Sequence, residues 1–323
     1  MKAVVFGSGS IGRRHIESLR QIEPNCEITL VRRDAIEDEY SQGIGASVVG
    51  SAKMALDMRP DLAVIATPSA MHMEALAPCI LENVPIYLEK PAVTREADVS
   101  VIRDLITSQT YDAPSQTGCN LRFLPAMRDA HALLRSGALG HVARASFQAG
   151  QYLPDWRPGT DHRCSYSADP QLGGGVIFDL IHELDSAHFL IGPFGEVHAF
   201  AASVEALDIR SEAVATIILS SKKGRSLVTV GLDYVSRKPI RRYDIIGTAG
   251  TLRLDLVGKK MTLDTVDGSE VLSNCPGDFD VAQTYVTAMS ELLDAIASGG
   301  ATSQGIEAGL ETATLALKAK ASL

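Results

Sequence analysis

Gly7-Ser8-Gly9-Ser10-Ile11-Gly12 puts glycine at the first, third and sixth places of a run that follows an apolar segment and opens a helical pattern. In a strand-turn-helix setting, G-x-G-x-x-G is a dinucleotide-binding fingerprint. Its first glycine makes a tight turn, its second admits a pyrophosphate close to the backbone, and its third lets helix and strand pack. Backbone N–H groups at the helix start, at Ser10 and Ile11, and the positive end of the helix dipole would hold the anion. The alternative is a glycine-rich turn with no ligand. About 20 residues further on, the fingerprint expects an acidic residue for the ribose 2'-hydroxyl of NAD. Position 32 is arginine, and Arg33 and Asp34 follow. Two guanidinium groups suit a 2'-phosphate, so NADP is the favoured cofactor. NAD is the alternative, if the arginines stack on adenine or face solvent while Asp34 reaches the ribose.

Glu89-Lys90-Pro91 ends the fifth strand-like run. Ligands of open α/β sheets bind at the carboxyl ends of strands, which places Glu89 and Lys90 at the mouth of the cofactor crevice. Thr67, Pro68 and His72, after the fourth run, lie on the same edge. Read alone, a Glu-Lys-Pro at a strand end is more often a charged surface turn than a site. Further along, Gly173-Gly174-Gly175 leads into a predicted helix over residues 175–190, where Asp179, His182 and Asp185 are spaced three apart. One face then carries a histidine between two carboxylates. A carboxylate orients an imidazole and raises its basicity, which suits general acid/base work near neutral pH. The competing reading is a partly buried histidine with its hydrogen bonds satisfied. No metal site is predicted: His182-Glu183 begins like H-E-x-x-H, but Ser186 holds the fifth place. Asp161-His162-Arg163-Cys164 adds no second clustered pair, and no G-x-S-x-G nucleophile elbow occurs.

The elements that must position these groups follow from periodicity. Strand-like runs at 3–6, 27–31, 46–49, 62–66, 86–88 and 115–118 are separated by helical stretches such as 11–22, 71–81 and 96–107. Strands alternating with helices imply βαβ units and a doubly wound parallel sheet. After residue 120 come a helix at 125–136, a strand at 142–148, a Pro-rich loop and the helix at 175–190. Strand-like runs at 197–204, 213–220, 227–234, 241–247, 251–256 and 261–265 then read as a largely antiparallel sheet. Helices at 285–297 and 303–320 close the chain. The fold class is α/β, with a Rossmann domain over 1–119 and an α+β domain with a large open sheet over 120–323. The last helix is expected to pack back on the Rossmann domain.

A chain of 323 residues is long enough for two such domains. With 46% hydrophobic and 21% charged residues it is globular rather than disordered. The net charge of -9 argues against nucleic acid or a membrane surface as partner. Five scattered cysteines without CxxC fit reduced thiols, and no membrane span or signal peptide is read, so a cytoplasmic protein is expected.

Taken in order, GSGSIG, ATPSAMH at 66–72, EKP and GGGVIFDLIHELD at 173–185 resemble the Gfo/Idh/MocA family over nearly the whole chain. The resemblance implies an oxidoreductase that moves a hydride between a nicotinamide and a carbinol or carbonyl carbon. Its substrates would be sugars, cyclitols, sugar acids or nucleotide-activated sugars. It implies that Lys90 contacts substrate and nicotinamide ribose, that the peptide before Pro91 is often cis, and that His182 is the catalytic histidine. Many members carry an aspartate four residues before that histidine; here Phe178 stands there and Asp179 follows, so the division of work among Lys90, Asp179 and His182 stays open. The segment from Trp156-Arg157-Pro158 to Arg163, then Ser165-Tyr166-Ser167-Ala168, is similar to the branch associated with bacterial surface glycans and sialic-acid-like sugars. Trp156, Arg157, Arg163 and Tyr166 are then candidate contacts for an acidic or nucleotide-linked sugar. Asn120 and Arg122 would point into the cleft, the alternative for Arg122 being an interdomain salt bridge. The open sheet implies a homodimer or homotetramer. Two other functions stay open: a cofactor-retaining glycosidase acting by transient oxidation, and a nucleotide-sensing regulator without turnover.

Overall fold

The computed structural model of the chain describes residues 1–222 and 226–323. Two compact units emerge: Met1–Asn120 with Ala282–Ala313, and Leu121–Val281 with Thr314–Leu323. Where the sequence suggested a single cut at 119/120, residues 282–313 group with the amino-terminal part.

In the first unit, β1 (Lys2–Phe6), β2 (Glu27–Val31), β3 (Ser47–Val49), β4 (Leu62–Ile65), β5 (Ile86–Leu88) and β6 (Ser115–Thr117) form one sheet. Its order is β3-β2-β1-β4-β5-β6 and every pairing is parallel, the doubly wound dinucleotide-binding arrangement. Strands covered on both faces read as continuous apolar runs. Val4, Val5, Leu30, residues 62–65 and residues 86–88 are accordingly buried. Helices Ser10–Ile22, His72–Leu81 and Glu96–Ser108 lie within two residues of the expected spans. Two short helices, Glu39–Gly43 and Ala52–Asp57, have too few turns to show a period, and their caps are their signature. Asp38 accepts from the Ser41 N–H, and Ser51 from that of Met54. The returning segment closes the β6 edge: Thr117 N–H donates to the Gln304 carbonyl at 2.7 Å, and Ser115 Oγ accepts from the Ile306 N–H at 3.1 Å.

The second unit holds β7 (Val142–Gly150), β8 (Phe194–Ala202), β9 (Val214–Ser221), β10 (Leu227–Asp233), β11 (Ile240–Gly247), β12 (Gly250–Asp255), β13 (Lys260–Thr265) and β14 (Gly268–Ser273). The sheet order is β14-β13-β12-β11-β7-β10-β9-β8, with β7 and β10 parallel and the other neighbours antiparallel. Alternation gives it one apolar face, on which Phe147, Ile217, Leu219, Val230, Tyr243 and Leu252 are buried. β14 was not anticipated, although Asp267-Gly268 is a hairpin-turn pair.

The helix expected over 175–190 is two helices, Val176–Asp179 and His182–Ile191. Leu180 leaves helical geometry at φ -96° and ψ 35°. Glu183 and Asp185 sit in the first turn of the second helix, where carboxylates favour a helix start. Asp179 and His182 are therefore not on one helical face. Asp179 ends one helix and His182 begins the next.

Candidate functional site

In the first unit the phosphate loop has the geometry its glycines require. Gly7 has φ +91°, and a Cβ there would lie 2.5 Å from the Ala66 carbonyl oxygen. A Cβ on Gly12 would run into the Gly7 carbonyl, which is how closely the helix approaches the turn. At Gly9, the residue that caps the helix, an added Cβ would meet nothing within 4 Å. Glycine at that place serves no packing purpose of the protein and leaves the space beside the N–H groups of Ser10 and Ile11 open. Thr67 Oγ1, at the end of β4, is buried with no hydrogen-bond partner among the described residues, and its backbone nitrogen lies against Gly7. An open cradle at a helix N-terminus next to an unsatisfied hydroxyl fits the pyrophosphate of a dinucleotide.

The arginines after β2 diverge. Arg32 turns to the loop: its Nε donates to Ser8 Oγ at 3.1 Å, and its guanidinium donates to the Ile36 carbonyl at 3.2 Å and pairs with Asp38 at 3.0 Å. The Ser41 backbone N–H and Arg32 hold the Asp38 carboxyl down at about 2. Arg33 reaches the exposed Glu74 at 3.0 Å, and Asp34 accepts from the Ile36 N–H. Nothing in the sequence had singled out Asp38.

At the other end of the sheet edge, the Lys90–Pro91 peptide is cis. Glu89 Oε2 accepts from the Lys90 N–H at 3.1 Å, and Glu89 Oε1 lies 2.6 Å from His15 Nε2. His15 was likewise missed; its signal was a histidine on the apolar face shared with Ile16 and Leu19. His72 is 1% exposed, and its ring nitrogens face the carbonyls of Thr67 and Ala92 at 3.1 and 3.2 Å. Burial pushes its pKa down, and the ring's contact with the Thr67 carbonyl spans residues 67–72, with Pro68 starting the short turn between. Asn120 is also buried and donates to Thr284 Oγ1 at 2.7 Å.

In the second unit, His182 is half-buried at the start of its helix, and two buried ion pairs anchor that helix. Glu183, 0% exposed, lies 2.7 Å from Arg241 and accepts from the Tyr243 hydroxyl at 3.0 Å. Asp185, 1% exposed, takes both arms of Arg122 at 2.8 and 2.6 Å. Arg122 thus binds one turn beyond His182 on the same helix. Asp179 accepts from Ser167 Oγ at 2.5 Å and from the Tyr234 hydroxyl at 3.0 Å; burial first, then Asp179, pushes the Tyr234 pKa far up. Trp156 packs edge-on against Tyr234 at 5.3 Å. Trp156, exposed Arg157, Thr160, His162, Ser165 and Ser167 line a narrow crevice with room for about one water. Tyr166 donates to the Gly173 carbonyl at 2.7 Å, and Arg163 is held by Asp161 and Asp208 at 2.7 and 3.5 Å.

A parallel six-stranded sheet in this order, with such a loop, and a separate open-sheet unit carrying a histidine define a class: nicotinamide-dependent oxidoreductases with a Rossmann unit. Residues 1–110 match the model described as an oxidoreductase family with an NAD-binding Rossmann fold, and residues 127–253 match the GFO/IDH/MocA C-terminal domain. The chain belongs to the Gfo/Idh/MocA family of oxidoreductases. It is 25% identical to an "Uncharacterized oxidoreductase" of Streptococcus pneumoniae serotype 4, over 93% of this chain and 81% of that one. It is 25% identical to the rhizopine catabolism protein MocA of Rhizobium meliloti, covering 58% of this chain and 56% of the relative. Against an inositol 2-dehydrogenase of Leifsonia xyli it is 29% identical, over 44% and 42% of the two chains. The fold matches an Agrobacterium radiobacter oxidoreductase in complex with NAD+, L-tartaric acid and magnesium, with TM-score 0.84 at 23% identity over 100% of this chain and 96% of that one. It matches a levoglucosan dehydrogenase in complex with NADH and levoglucosan with TM-score 0.87 at 17% identity, over the same shares.

Proposed function

We propose that the protein is an NAD(P)-dependent dehydrogenase acting on a carbinol or carbonyl carbon of a polyhydroxylated, sugar-type substrate. The open cradle at Gly9, beside the buried Thr67 hydroxyl, carries this reading. Inositol and levoglucosan, named for a relative and a structural neighbour, support a neutral polyol. So does Arg163, whose charge is already met by Asp161 and Asp208, leaving Arg157 as the free-standing cation of that loop for a sugar acid.

When bound, the nicotinamide supplies the hydride donor or acceptor. Lys90 directs its ammonium at the substrate oxygen and stabilises negative charge developing there. His182 takes the hydroxyl proton on an imidazole nitrogen in the oxidising direction and returns it in the reducing one. Asp179, with Ser167 and Tyr234 donating to it, presents a fixed carboxylate in the same unit. Gly7, Gly9, Ser10, Ile11 and Gly12 hold the pyrophosphate.

NADP is the preferred cofactor in this reading. Arg32 is already on the loop through Ser8, and Arg33 is tied only by an exposed pair, which is worth about 0–1 kcal/mol and yields readily to a phosphate. The five free cysteines suit work in a reducing compartment such as the cytoplasm.

The test is turnover of myo-inositol and levoglucosan with each dinucleotide, in the wild type and in Lys90→Met. Turnover in the wild type with loss of at least about 100-fold in kcat for the variant, at unchanged dinucleotide affinity, is expected for a group acting on the developing charge. Full activity in Lys90→Met would remove the lysine from the reaction.

A further inference from the structure

Helix Ser10–Ile22, whose first turn makes the phosphate loop, buries His15 together with Ile16 and Leu19. An imidazole among aliphatic side chains has lost its hydration and stays there only if something bonds it. That partner is Glu89, 74 residues away in sequence, with its Oε1 2.6 Å from His15 Nε2. His15 Nδ1 has no hydrogen-bond partner among the described residues, and the ring lies against Tyr87 at 4.4 Å and Tyr285 at 5.8 Å. A hydrogen on Nδ1 would be a buried donor without an acceptor, so Nε2 carries it and donates to the carboxylate.

The second carboxylate oxygen of Glu89 accepts from the Lys90 backbone N–H at 3.1 Å. The backbone of Glu89 is itself fixed, since its N–H donates to the Ile65 carbonyl at 2.9 Å. On the remaining side stands Gly118, where a Cβ would lie 2.8 Å from Glu89 Oε1. Residues 15, 65, 90 and 118 therefore converge on one glutamate, which is 5% exposed. Buried pairs of this kind can often be replaced by apolar side chains of similar size with little or no loss of stability. A histidine-glutamate pair here does something packing does not.

We propose that His15 is a positioning residue for Lys90: acting through Glu89, it ties the helix that holds the pyrophosphate to the residue that ends β5. Lysine and bound dinucleotide then share one rigid frame. Glu89 also sets a negative charge directly behind the lysine. The proposal rests on the functional reading in which Lys90 meets the nicotinamide.

The experiment needs no substrate. Cofactor-stripped wild type, His15→Phe, His15→Gln, Lys90→Ala and the double variant His15→Phe/Lys90→Ala are titrated with NADPH and NADH, following the emission of the bound nicotinamide. Melting temperature serves as the folding control. His15→Phe should bind within about threefold of wild type, because the loop is intact. Its bound emission should nevertheless shift as in Lys90→Ala, and the double variant should shift no further, the signature of two residues acting as one. His15→Gln, whose amide N–H can still donate to Glu89, should restore most of the wild-type emission. Should His15→Phe fail to fold, Glu89→Leu takes its place with the same expectation. Wild-type emission in His15→Phe or Glu89→Leu, while Lys90→Ala shifts it, overturns the proposal alone. Wild-type emission in Lys90→Ala takes the lysine away from the nicotinamide and overturns the functional reading and the proposal together.

Discussion

Gly9 and Gly12 sit three residues apart in one loop and are glycine for different reasons. At Gly12 any side chain strikes the Gly7 carbonyl, whereas at Gly9 it strikes nothing in the protein. Gly9 has φ -68°, so alanine there carries no backbone strain. Gly9→Ala should keep the wild-type melting temperature and lose at least about tenfold in dinucleotide affinity, roughly 1.4 kcal/mol. Wild-type affinity in that variant would mean that the cradle holds no pyrophosphate. Glu89 offers a second test. Burial pushes its pKa up, but the hydrogen bond from His15 and the Lys90 charge outweigh that and hold it below the usual carboxylate value. A lowered pKa stabilises the fold above the unfolded value of about 4.3, and that contribution is lost as pH falls through the lowered one. Urea midpoints should therefore show no loss from this group between about pH 7 and 5 and a fall below about pH 4. Glu89→Gln should flatten that fall, and an unchanged slope would contradict the pairing.

At the scale of elements, what was legible in the sequence was what is local. The G-x-G-x-x-G run and the buried strands of the first sheet announce themselves within a few residues, because parallel strands covered on both faces are unbroken apolar runs. Pairings across long separations leave no period. Arg122 and Asp185 are 63 residues apart, so the sequence offered Arg122 either as a cleft residue or as a salt-bridge former and could not name Asp185 as its partner. The break at Leu180 was hidden for the opposite reason, since residues 175–190 are apolar at helical spacing on both sides of it. His182 owes its place to the helix start that this break creates. Two buried pairs hold that start, and breaking a buried pair from one side strands the other charge. Glu183→Ala and Asp185→Ala should each cost about 3 kcal/mol, the lower end of the usual range, because Arg241 and Arg122 keep some access to water. Chemical denaturation reads this directly; losses under about 0.5 kcal/mol would show that the pairs do not anchor the helix.

For the molecule as a whole, the second sheet presents one face to solvent. Phe200 on β8 is 74% exposed, beside Ala202, Val214, Thr216 and Ile240 around a broad hollow. Single exposed apolar residues are ordinary; their grouping on an open sheet makes this face the candidate for association between copies of the chain. The family resemblance implies a homodimer or homotetramer, and sedimentation of wild type against Phe200→Asp tests it. Wild type should sediment as an oligomer and the variant as a lighter species; a monomeric wild type would refute the expectation. No helix among the described residues is long and apolar enough to cross a membrane. The central claim is that this chain holds a nicotinamide dinucleotide on its glycine loop and reads the 2'-position with Arg32. It is tested most directly by titrating the cofactor-stripped protein and Arg32→Ala with NADPH and NADH, following nicotinamide fluorescence. One dinucleotide per chain is expected, NADPH the tighter, with Arg32→Ala weakening NADPH by about 10- to 100-fold, the worth of one charge-assisted hydrogen bond, and NADH far less. If NADH binds tighter, the arginine does not set the preference; if neither dinucleotide binds, the oxidoreductase reading of this chain is contradicted.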